Sequence, residues 1–447
     1  MSDHGADHAR AVAALRGQYA AVPAGAPVRL AKSTSNLFRF RDDQAGGLDV
    51  ARLDRVLSVD PRTRTAQVQG MTTYERLVDA TLRHGLMPLV VPQLKTITLG
   101  GAVAGLGIES SSFRNGLPHE SVRELEVMTG DGSIRVVGPD DELFRGFPNS
   151  YGTLGYALRL EIELEPVKPY VRLRHVPFGD AHQCAEALAA ICAERAYQGE
   201  PVDFVDGTVF SGGEQYLTLA TFADGAPATS DYTGNRIYYR SVQARRTDHL
   251  TVRDYLWRWD TDWFWCSRAF GVQHPVVRRL VPKRYLRSDV YRRIVAWDRR
   301  HGFSGRLTKA VQEPVIQDVE IPVHRLAEFL DFFHREIGVS PVWLCPVRLR
   351  DRSGWPLYPM DPDVLYVNVG FWSTVPLRPD EELGSRNRMI EDEVTRLGGH
   401  KSLYSDSYYG EQEFWDHYNG PAYRKLKERY DPDGRLPDLY AKCVLRK

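Results

Sequence analysis

The sequence has no excess of either charge and no long apolar run. Basic and acidic residues balance at 58 each among 447 residues, so no overall nucleic-acid-binding surface is indicated. No run approaches the roughly 18 apolar residues that a membrane-spanning helix needs, and the polar residues 1–10 include no apolar segment typical of a signal peptide. We therefore expect a cytoplasmic protein, and peripheral contact with the inner face of a membrane is compatible with this composition.

Sequence patterns typical of metal sites and disulfide frameworks are also missing. The five cysteines are odd in number and none forms a CxxC pair, which argues against a disulfide framework or a zinc knuckle. No HExxH motif occurs, and the one HxxxH spacing, His4 and His8, lies at the terminus with no third ligand nearby in the sequence. We predict no metal, and we interpret Cys345 as a small buried residue.

Alternating segments and turn residues predict two β-hairpins in the first third of the chain. Residues 57–60 and 65–69 alternate around an Asp-Pro turn. Residues 122–128 and 133–137 flank Gly130-Asp131-Gly132, a strong hairpin signal. Both hairpins indicate antiparallel sheet in this part of the protein.

A helix and a further strand complete the pattern. Residues 73–84 carry apolar residues at helical spacing, and Gly85 follows as a stop signal. Residues 157–164 alternate strongly, and the character of the sequence changes at 166–169. We predict a domain boundary at 166–169, with mixed helices and strands after it.

The most informative stretch is residues 92–116, which is rich in glycine and serine. A dinucleotide pyrophosphate needs backbone N–H groups at close range, and glycine permits that approach. A second tight glycine turn, residues 148–155, precedes the strand at 157–164. A purely structural loop is the alternative for either stretch, but two such loops ordered around one hairpin favour a flavin site. A Rossmann GxGxxG motif is absent.

This order of loops and hairpin resembles the vanillyl-alcohol-oxidase-like, PCMH-type FAD flavoproteins. The resemblance implies an α+β fold with a two-subdomain FAD-binding domain at residues 1–168. It implies an α+β substrate (cap) domain at 169–390, and a C-terminal segment at 391–447 that returns to the FAD domain. The cofactor-binding residues that it implies are Lys32, Ser33, Thr34, Ser35, Asn36, Pro92, Thr96, Thr98, Gly100, Gly101, Gly105, Gly107, Ile108, Glu109, Ser110, Ser111, Ser112, Asn115, Gly152, Thr153, Gly155 and Ile162.

Within that superfamily the chain is similar to the sterol Δ24-reductase, or Diminuto-like, branch. The motifs that carry this likeness are residues 105–112, 341–346, 365–370, 403–406 and 413–415. The narrowest likeness, carried by residues 28–38 and 88–101, is to the actinobacterial 10-methylene fatty acyl reductases of tuberculostearic (10-methylstearic) acid synthesis. This likeness implies reduction of an isolated C=C in an acyl-lipid, with NADPH as reductant and a methyltransferase as a candidate partner.

The first loop departs from many relatives, in which a histidine bonds covalently to the flavin. Residues 32–36 contain no histidine or cysteine, so we predict non-covalent FAD. Acid precipitation of the purified protein is expected to release all of the yellow colour into the supernatant. Colour retained in the pellet would contradict this prediction.

Reduction of an isolated alkene requires a proton donor, because no carbonyl accepts the developing negative charge. We consider Glu109, Asp318, Glu320, Tyr404 and Asp406 as candidate catalytic residues. Each has a structural alternative. Alternation places Asp318 and Glu320 on one strand face, and such a face is often exposed to solvent. Asp406 is also typical of a residue that caps a turn, and Tyr404 of one that packs in the core. Glu109 could instead form a hydrogen bond to flavin or to a neighbouring loop.

Residues 255–293 combine aromatic and basic side chains. Four tryptophans lie within 255–265, and seven basic residues follow between 278 and 293. Core packing with a solvated basic face is one interpretation. Among functional interpretations we favour peripheral membrane contact over nucleic-acid binding, because tryptophans and cations are typical of lipid interfaces and acyl chains reside in bilayers.

Four functions remain open from the sequence. The leading hypothesis is an NADPH-dependent flavoprotein that reduces the 10-methylene group of a phospholipid acyl chain to 10-methyl. The alternatives are a sterol Δ24-reductase, a flavin-dependent alcohol or sugar oxidase, and a lipid-binding subunit of a methyltransferase complex.

Overall fold

A computed structural model describes residues 3–32, 38, 46–301 and 312–446 of the chain. These residues form two large antiparallel sheets with helices packed around them. The mixed architecture confirms the predicted α+β fold class.

The first sheet lies between residues 56 and 166 and has the strand order β3-β4-β8-β6-β7, with β5 paired to the far end of β8. A separate two-stranded pair, β1 with β2, precedes it. Both predicted hairpins are confirmed, as β3–β4 and β6–β7. The strand bounds are β1 Leu30–Ala31, β2 Leu48–Asp49, β3 Val56–Asp60, β4 Thr65–Gln69, β5 Leu86–Pro88, β6 Val122–Thr129, β7 Ile134–Val137 and β8 Gly155–Pro166.

Five helices accompany the first sheet. The predicted helix after residue 73 is confirmed: Thr73 caps it by accepting a hydrogen bond from Arg76 N, and a 3-10 turn at Leu82–His84 ends it at Gly85, whose φ is 68°. That left-handed conformation suits glycine because it has no Cβ. The helix bounds are α1 Asp3–Ala21, α2 Tyr74–Thr81, α3 Leu99–Ala104, α4 Ser112–Asn115 and α5 Glu142–Gly146.

The second sheet begins at residue 170 and has the order β14-β9-β13-β12-β16-β17-β15-β18. The short strands β10 and β11 pair separately. The change of sheet between residues 166 and 170 falls where the sequence pattern changes. The strand bounds are β9 Tyr170–Phe178, β10 Ala196–Tyr197, β11 Glu200–Pro201, β12 Phe204–Ser211, β13 Glu214–Ala223, β14 Thr247–Thr251, β15 Gln312–Pro322, β16 Val342–Val347, β17 Tyr366–Pro376 and β18 His400–Lys401.

Ten α-helices of the described residues follow residue 180, and the last of them return to the first part of the protein. Lys442 Nζ donates to Tyr151 O at 2.6 Å, and Lys425 Nζ donates to Glu142 at 3.0 Å, whereas β18 pairs with β15 in the second sheet. The bounds are α6 Ala181–Glu194, α7 Tyr238–Ala244, α8 Val252–Leu256, α9 Pro275–Leu280, α10 Ser288–His301, α11 Leu326–Glu336, α12 Ser385–Arg396, α13 Glu411–His417, α14 Gly420–Tyr430 and α15 Leu439–Cys443.

The two faces of the second sheet have different partners, because side chains alternate along each strand. Val319 and Leu344 pack in a core with residues of α6 and α11. Trp343 and Trp372, on the opposite face, pack in the core that also contains residues of the first sheet, such as Leu160. The second face of this sheet therefore covers the part of the chain that carries the first sheet.

The tryptophan-rich stretch belongs to the core rather than to a lipid interface. Trp257, Trp259, Trp263 and Trp265 are at most 5% exposed. Trp259 stacks on Phe264 with a centroid distance of 4.9 Å. These rings are buried and therefore do not anchor the protein in a membrane. The interpretation of residues 255–265 as a membrane contact is thus wrong, and it remains a hypothesis only for the basic residues that follow, at 278–293.

Candidate active site

A cavity of about 390 Å³ lies between the glycine-rich loop and the second sheet. Its walls combine backbone from the loop with side chains from strands that are far apart in sequence. The predicted cofactor residues that line it are Lys32, Pro92, Thr98, Gly100, Gly101, Gly105, Gly107, Ile108, Gly152 and Gly155.

The glycine-rich wall is shaped by close packing of the protein on itself. A Cβ on Gly100 would lie 2.7 Å from Gly70 O, and a Cβ on Gly107 would lie 3.0 Å from the rings of Pro92 and Pro118. These two glycines therefore let neighbouring segments meet. Gly152 has φ 78° in the second turn, a conformation that other residues rarely adopt. Backbone thereby forms much of the cavity surface on this side.

Basic side chains line the same cavity. Arg29, Lys32, Lys442 and Arg446 all contribute to its wall, and Lys32 Nζ donates to Thr98 Oγ1 at 3.1 Å. Their positive charge and the exposed backbone of the loop fit the pyrophosphate of FAD. The sequence did not identify Arg29, Lys442 and Arg446 as lining residues. They lie near opposite ends of the chain, and no local pattern indicates that these ends meet at one cavity.

The remaining predicted cofactor residues of the described part lie behind the cavity wall. Ser111 Oγ and Asn115 Nδ2 both donate to Leu89 O, at 2.8 and 2.7 Å, so these polar groups hold the loop to the protein. Ile162 is fully buried in the core. The residues placed outside the wall are Thr96, Glu109, Ser110, Ser111, Ser112, Asn115, Thr153 and Ile162. Four more predicted residues, Ser33, Thr34, Ser35 and Asn36, lie outside the described part of the chain.

The opposite wall of the cavity is aromatic. Phe264 stacks on Trp372 with a centroid distance of 4.3 Å, and Trp263 stacks on Phe38 at 5.5 Å. Trp343 and Tyr404 complete this wall. Residues 255–265 are recognisably aromatic in the sequence, but no local pattern indicates that rings from five separate segments converge here.

Asp318 is the one acidic side chain among the described residues of the cavity lining. Asn368 Nδ2 donates to Asp318 Oδ1 at 3.0 Å. Trp372 Nε1 donates to the Tyr404 hydroxyl at 3.0 Å, and interaction with that hydroxyl lowers the pKa of Asp318. Burial raises the pKa of Asp318 to about 6, against the lowering effect of both hydrogen bonds. Asp318 and Tyr404 are thus brought together at the cavity.

The register of three neighbouring strands creates the space that the Asp318 carboxyl occupies. Asp318 of β15 pairs with Gly370 of β17, and Gly370 pairs with Trp343 of β16. A Cβ on Gly370 would overlap Asp318 Oδ1 and the Trp372 ring. Glycine at the middle strand therefore lets an acid and two indoles share one face of the sheet.

The structural alternative for Asp318 and Glu320, a strand face exposed to solvent, is wrong. Glu320 is fully buried and accepts a hydrogen bond from the Tyr358 hydroxyl, and burial raises its pKa well above the usual range. The strand face that carries both acids is covered by the FAD-binding part. Glu320 and Asp406 do not line the cavity; Asp406 lies 3.5 Å from Arg446, which does.

Glu109 lies in a second buried cluster, behind the aromatic wall. Its Oε1 is 3.0 Å from Arg258 Nη2, and the same nitrogen is 2.8 Å from Asp206 Oδ2. Asp206 Oδ2 also accepts hydrogen bonds from Trp259 Nε1 at 3.1 Å and from Trp343 Nε1 at 3.2 Å. Burial raises the pKa of Glu109, and Arg258 opposes that rise. The cluster joins the glycine-rich loop to the second sheet and orients Trp343.

Metal-ligand clusters and membrane-spanning helices are both missing among the described residues. Among them, no group of three or more His, Cys, Asp or Glu side chains is placed to hold a metal ion. No helix in the same part of the chain has both the length and the apolar character needed to cross a membrane.

Comparison with known proteins identifies the flavin domain. Residues 10–138 match the family model of an FAD binding domain. The chain is 27% identical to human Delta(24)-sterol reductase over 412 residues, which cover 87% of this chain and 75% of that protein. It is 26% identical to the Delta(24)-sterol reductase of Arabidopsis thaliana over 444 residues, covering 88% and 76%.

A shorter match supports the same domain. The chain is 30% identical to Decaprenylphosphoryl-beta-D-ribose oxidase of Mycolicibacterium smegmatis over 147 residues, which cover 31% of each chain. The family match, the long similarity to Delta(24)-sterol reductases and the basic, glycine-walled cavity agree with one another. The chain contains a PCMH-type FAD-binding domain, and the protein is an FAD-dependent oxidoreductase.

Proposed function

We propose that this protein reduces an isolated carbon–carbon double bond, with NADPH as the reductant and Asp318 as the proton donor. The observation that carries the proposal is a buried carboxyl with a raised pKa on the aromatic side of the cavity, opposite the glycine-rich loop. The similarity to Delta(24)-sterol reductases over 87% of the chain supports it.

The residues around the cavity suit the chemistry of an unactivated alkene. Protonation of its less substituted carbon places positive charge on the more substituted one, and FAD held by the glycine-rich loop would supply hydride to that carbon. Asp318 holds the proton on its carboxyl, while Asn368 and Tyr404 fix the orientation of that carboxyl. The rings of Phe264 and Trp372 exclude water, and aromatic faces stabilise nearby positive charge.

The proposed substrate is the 10-methylene group of a phospholipid acyl chain. Its support is the likeness of residues 28–38 and 88–101 to reductases of that substrate, together with an aromatic cavity that suits an apolar chain. A sterol Δ24 alkene is the second candidate, favoured by the named activity of the long matches. Both alkenes give a tertiary cation on protonation, so the same acid serves either.

Anaerobic kinetics with the FAD-loaded protein test this proposal. We expect NADPH to bleach the flavin, and a phospholipid with a 10-methylene acyl chain to restore its colour with formation of the 10-methyl product. Restoration by a Δ24 sterol instead would assign the second substrate. Bleaching by an alcohol or sugar, without alkene-dependent recovery, would contradict alkene reduction and support the oxidase alternative.

The pKa of Asp318 predicts the pH dependence of flavin reoxidation by alkene. The proton donor is protonated below its pKa of about 6, so the reoxidation rate is expected to fall as pH rises above about 6, approaching tenfold per pH unit. Tyr404→Phe removes a hydrogen bond that lowers this pKa and should move the midpoint to higher pH. If the midpoint of the pH dependence is the same in Tyr404→Phe as in the wild type, the assignment of Asp318 as the proton donor is contradicted.

Gly370→Ala tests the space reserved for the Asp318 carboxyl. The added methyl group is expected to displace that carboxyl, to slow reoxidation by alkene, and to lower the free energy of unfolding by about 1–3 kcal/mol. Gly213→Ala is the matched control, because a Cβ there meets nothing within 4 Å. Urea unfolding and anaerobic reoxidation measure both effects; equal behaviour of the two variants would contradict the packing argument.

A further inference from the structure

Exposed apolar side chains are concentrated in one segment of the second part of the chain. Nine large apolar residues of the described chain are exposed, and six of them lie between positions 276 and 297. The other three, Val136, Leu383 and Leu445, are scattered. Single exposed apolar residues are common, whereas a contiguous group indicates a binding surface. The six are Val276, Val277, Leu280, Tyr285, Ile294 and Trp297.

The segment presents these side chains while buried partners hold it in place. In α9, Arg278 is buried and its guanidinium pairs with Asp262 at 2.5 and 3.0 Å. In α10, the Tyr291 hydroxyl donates to Thr261 O at 3.1 Å. Ile294 and Trp297 are three residues apart and therefore share one face of α10. The apolar side of the segment faces outward although its other side is anchored in the protein.

The same segment is strongly basic. Residues 275–298 contain seven basic and two acidic residues. Arg279, Lys283, Arg284 and Arg293 are exposed beside the apolar residues. A second cavity, of about 610 Å³, lies against α9 and is lined by Arg236, Arg279 and Lys283, of which Lys283 pairs with Asp231 at 2.8 Å. Positive charge is therefore distributed along the whole apolar surface and into a neighbouring hollow.

We infer that α9, the turn Lys283–Tyr285 and α10 form a surface, the α9–α10 surface, that binds an anionic phospholipid bilayer. Apolar side chains enter the boundary between headgroups and acyl chains, and arginines contact lipid phosphates. The excess of seven basic over two acidic residues in 275–298 complements the negative charge of an anionic lipid surface. Bilayer binding does not depend on the proposed reaction and is measured without turnover.

Co-sedimentation with vesicles tests the inference on the FAD-loaded protein. The vesicles are phosphatidylcholine alone, or three parts phosphatidylcholine to one part phosphatidylglycerol. We expect binding to the anionic vesicles that weakens with added salt, and little binding to the neutral ones. Equal binding to both compositions, or binding to neither, would overturn the inference.

Two variants and their controls locate the contact. Arg279→Gln, Arg284→Gln and Arg293→Gln together are expected to reduce partitioning onto anionic vesicles at least about tenfold. The matched control neutralises three exposed arginines elsewhere, Arg62, Arg195 and Arg335. Leu280→Ser with Ile294→Ser should also release the protein, whereas Val136→Ser with Leu383→Ser should not.

Flavin content and melting temperature verify that each variant is folded, and sedimentation velocity addresses the main competitor. A dimer of the wild-type protein that is lost in the Leu280→Ser, Ile294→Ser variant, without loss of vesicle binding, would reassign the surface to contact between two copies of this chain. Retained vesicle binding in the triple arginine variant would likewise overturn the inference.

Discussion

Asp318→Asn is expected to leave reduction of the flavin by NADPH intact and to slow its reoxidation by alkene about 10²–10⁴-fold, the range typical of a lost general acid. Asparagine keeps the size of the side chain and an oxygen for the Asn368 hydrogen bond. It removes the acidic proton that the alkene requires. Stopped-flow absorbance under anaerobic conditions separates the two half-reactions. The pH dependence near 6 should disappear with the carboxyl.

Glu320→Gln provides the matched control for this experiment. Glu320 follows Asp318 by two residues on the same strand face, but it is outside the cavity and bonded to Tyr358. Its replacement is expected to leave both half-reactions close to the wild-type rates. Loss of reoxidation in Glu320→Gln with normal rates in Asp318→Asn would identify the other acid as the donor. Equal rates in both variants would remove β15 as the source of the proton.

Arg258→Ala is expected to lower the free energy of unfolding by about 3–5 kcal/mol, the cost of breaking a buried ion pair from one side. Arg258 is 2% exposed, and its Nη2 contacts both Glu109 and Asp206. Removal of the guanidinium leaves two carboxyls buried without their counter-charge. Urea unfolding of the FAD-loaded protein, followed by flavin fluorescence, measures the effect.

Replacement of the whole cluster distinguishes charge from packing. The triple variant Arg258→Met, Glu109→Gln, Asp206→Asn removes all three charges at similar volume, so it should be more stable than Arg258→Ala. Arg62→Ala, at an exposed position, is the surface control and should change stability by no more than about 0.5 kcal/mol. An Arg258→Ala effect as small as this control would show that the cluster contributes little to folding.

The Arg258 cluster also bears on the active site, through Trp343. The indole of Trp343 lines the cavity while its Nε1 donates to Asp206. Loss of Arg258 frees Asp206 to move and therefore loosens that wall. Reoxidation by alkene should slow in any Arg258 variant that still retains flavin, with unchanged pH dependence, because the acid itself is untouched.

Features of the FAD-binding part that depend on near neighbours could be predicted from the sequence. The β3–β4 and β6–β7 hairpins are each fixed by a short turn between alternating segments. The helix α2 ends where Gly85 adopts its left-handed conformation. Gly100 and Gly107 mark a loop that lines the cavity. In each case the signal and the structure that it specifies lie within about a dozen residues.

Features that need distant segments to meet were harder to predict. The serines at 110–112, predicted as flavin ligands, are not among the lining residues of the cavity, and the hydroxyls of Ser110 and Ser111 bond to protein groups. For the tryptophans at 257–265 the sequence left both core packing and membrane contact open, and the structure places them in the core. Composition alone does not distinguish a buried aromatic cluster from an exposed one, since both carry the same residue types.

The sequence by itself determined the flavin-binding class of this protein, because two glycine turns and a hairpin are local structures that residue type specifies. Only the tertiary structure decided which acid faces the cavity. Asp318, Trp343 and Trp372 come from three strands, and they converge because strand register sets Gly370 between the first two. The register of these strands follows from the packing of whole sheets, so it cannot be predicted from any short stretch of sequence.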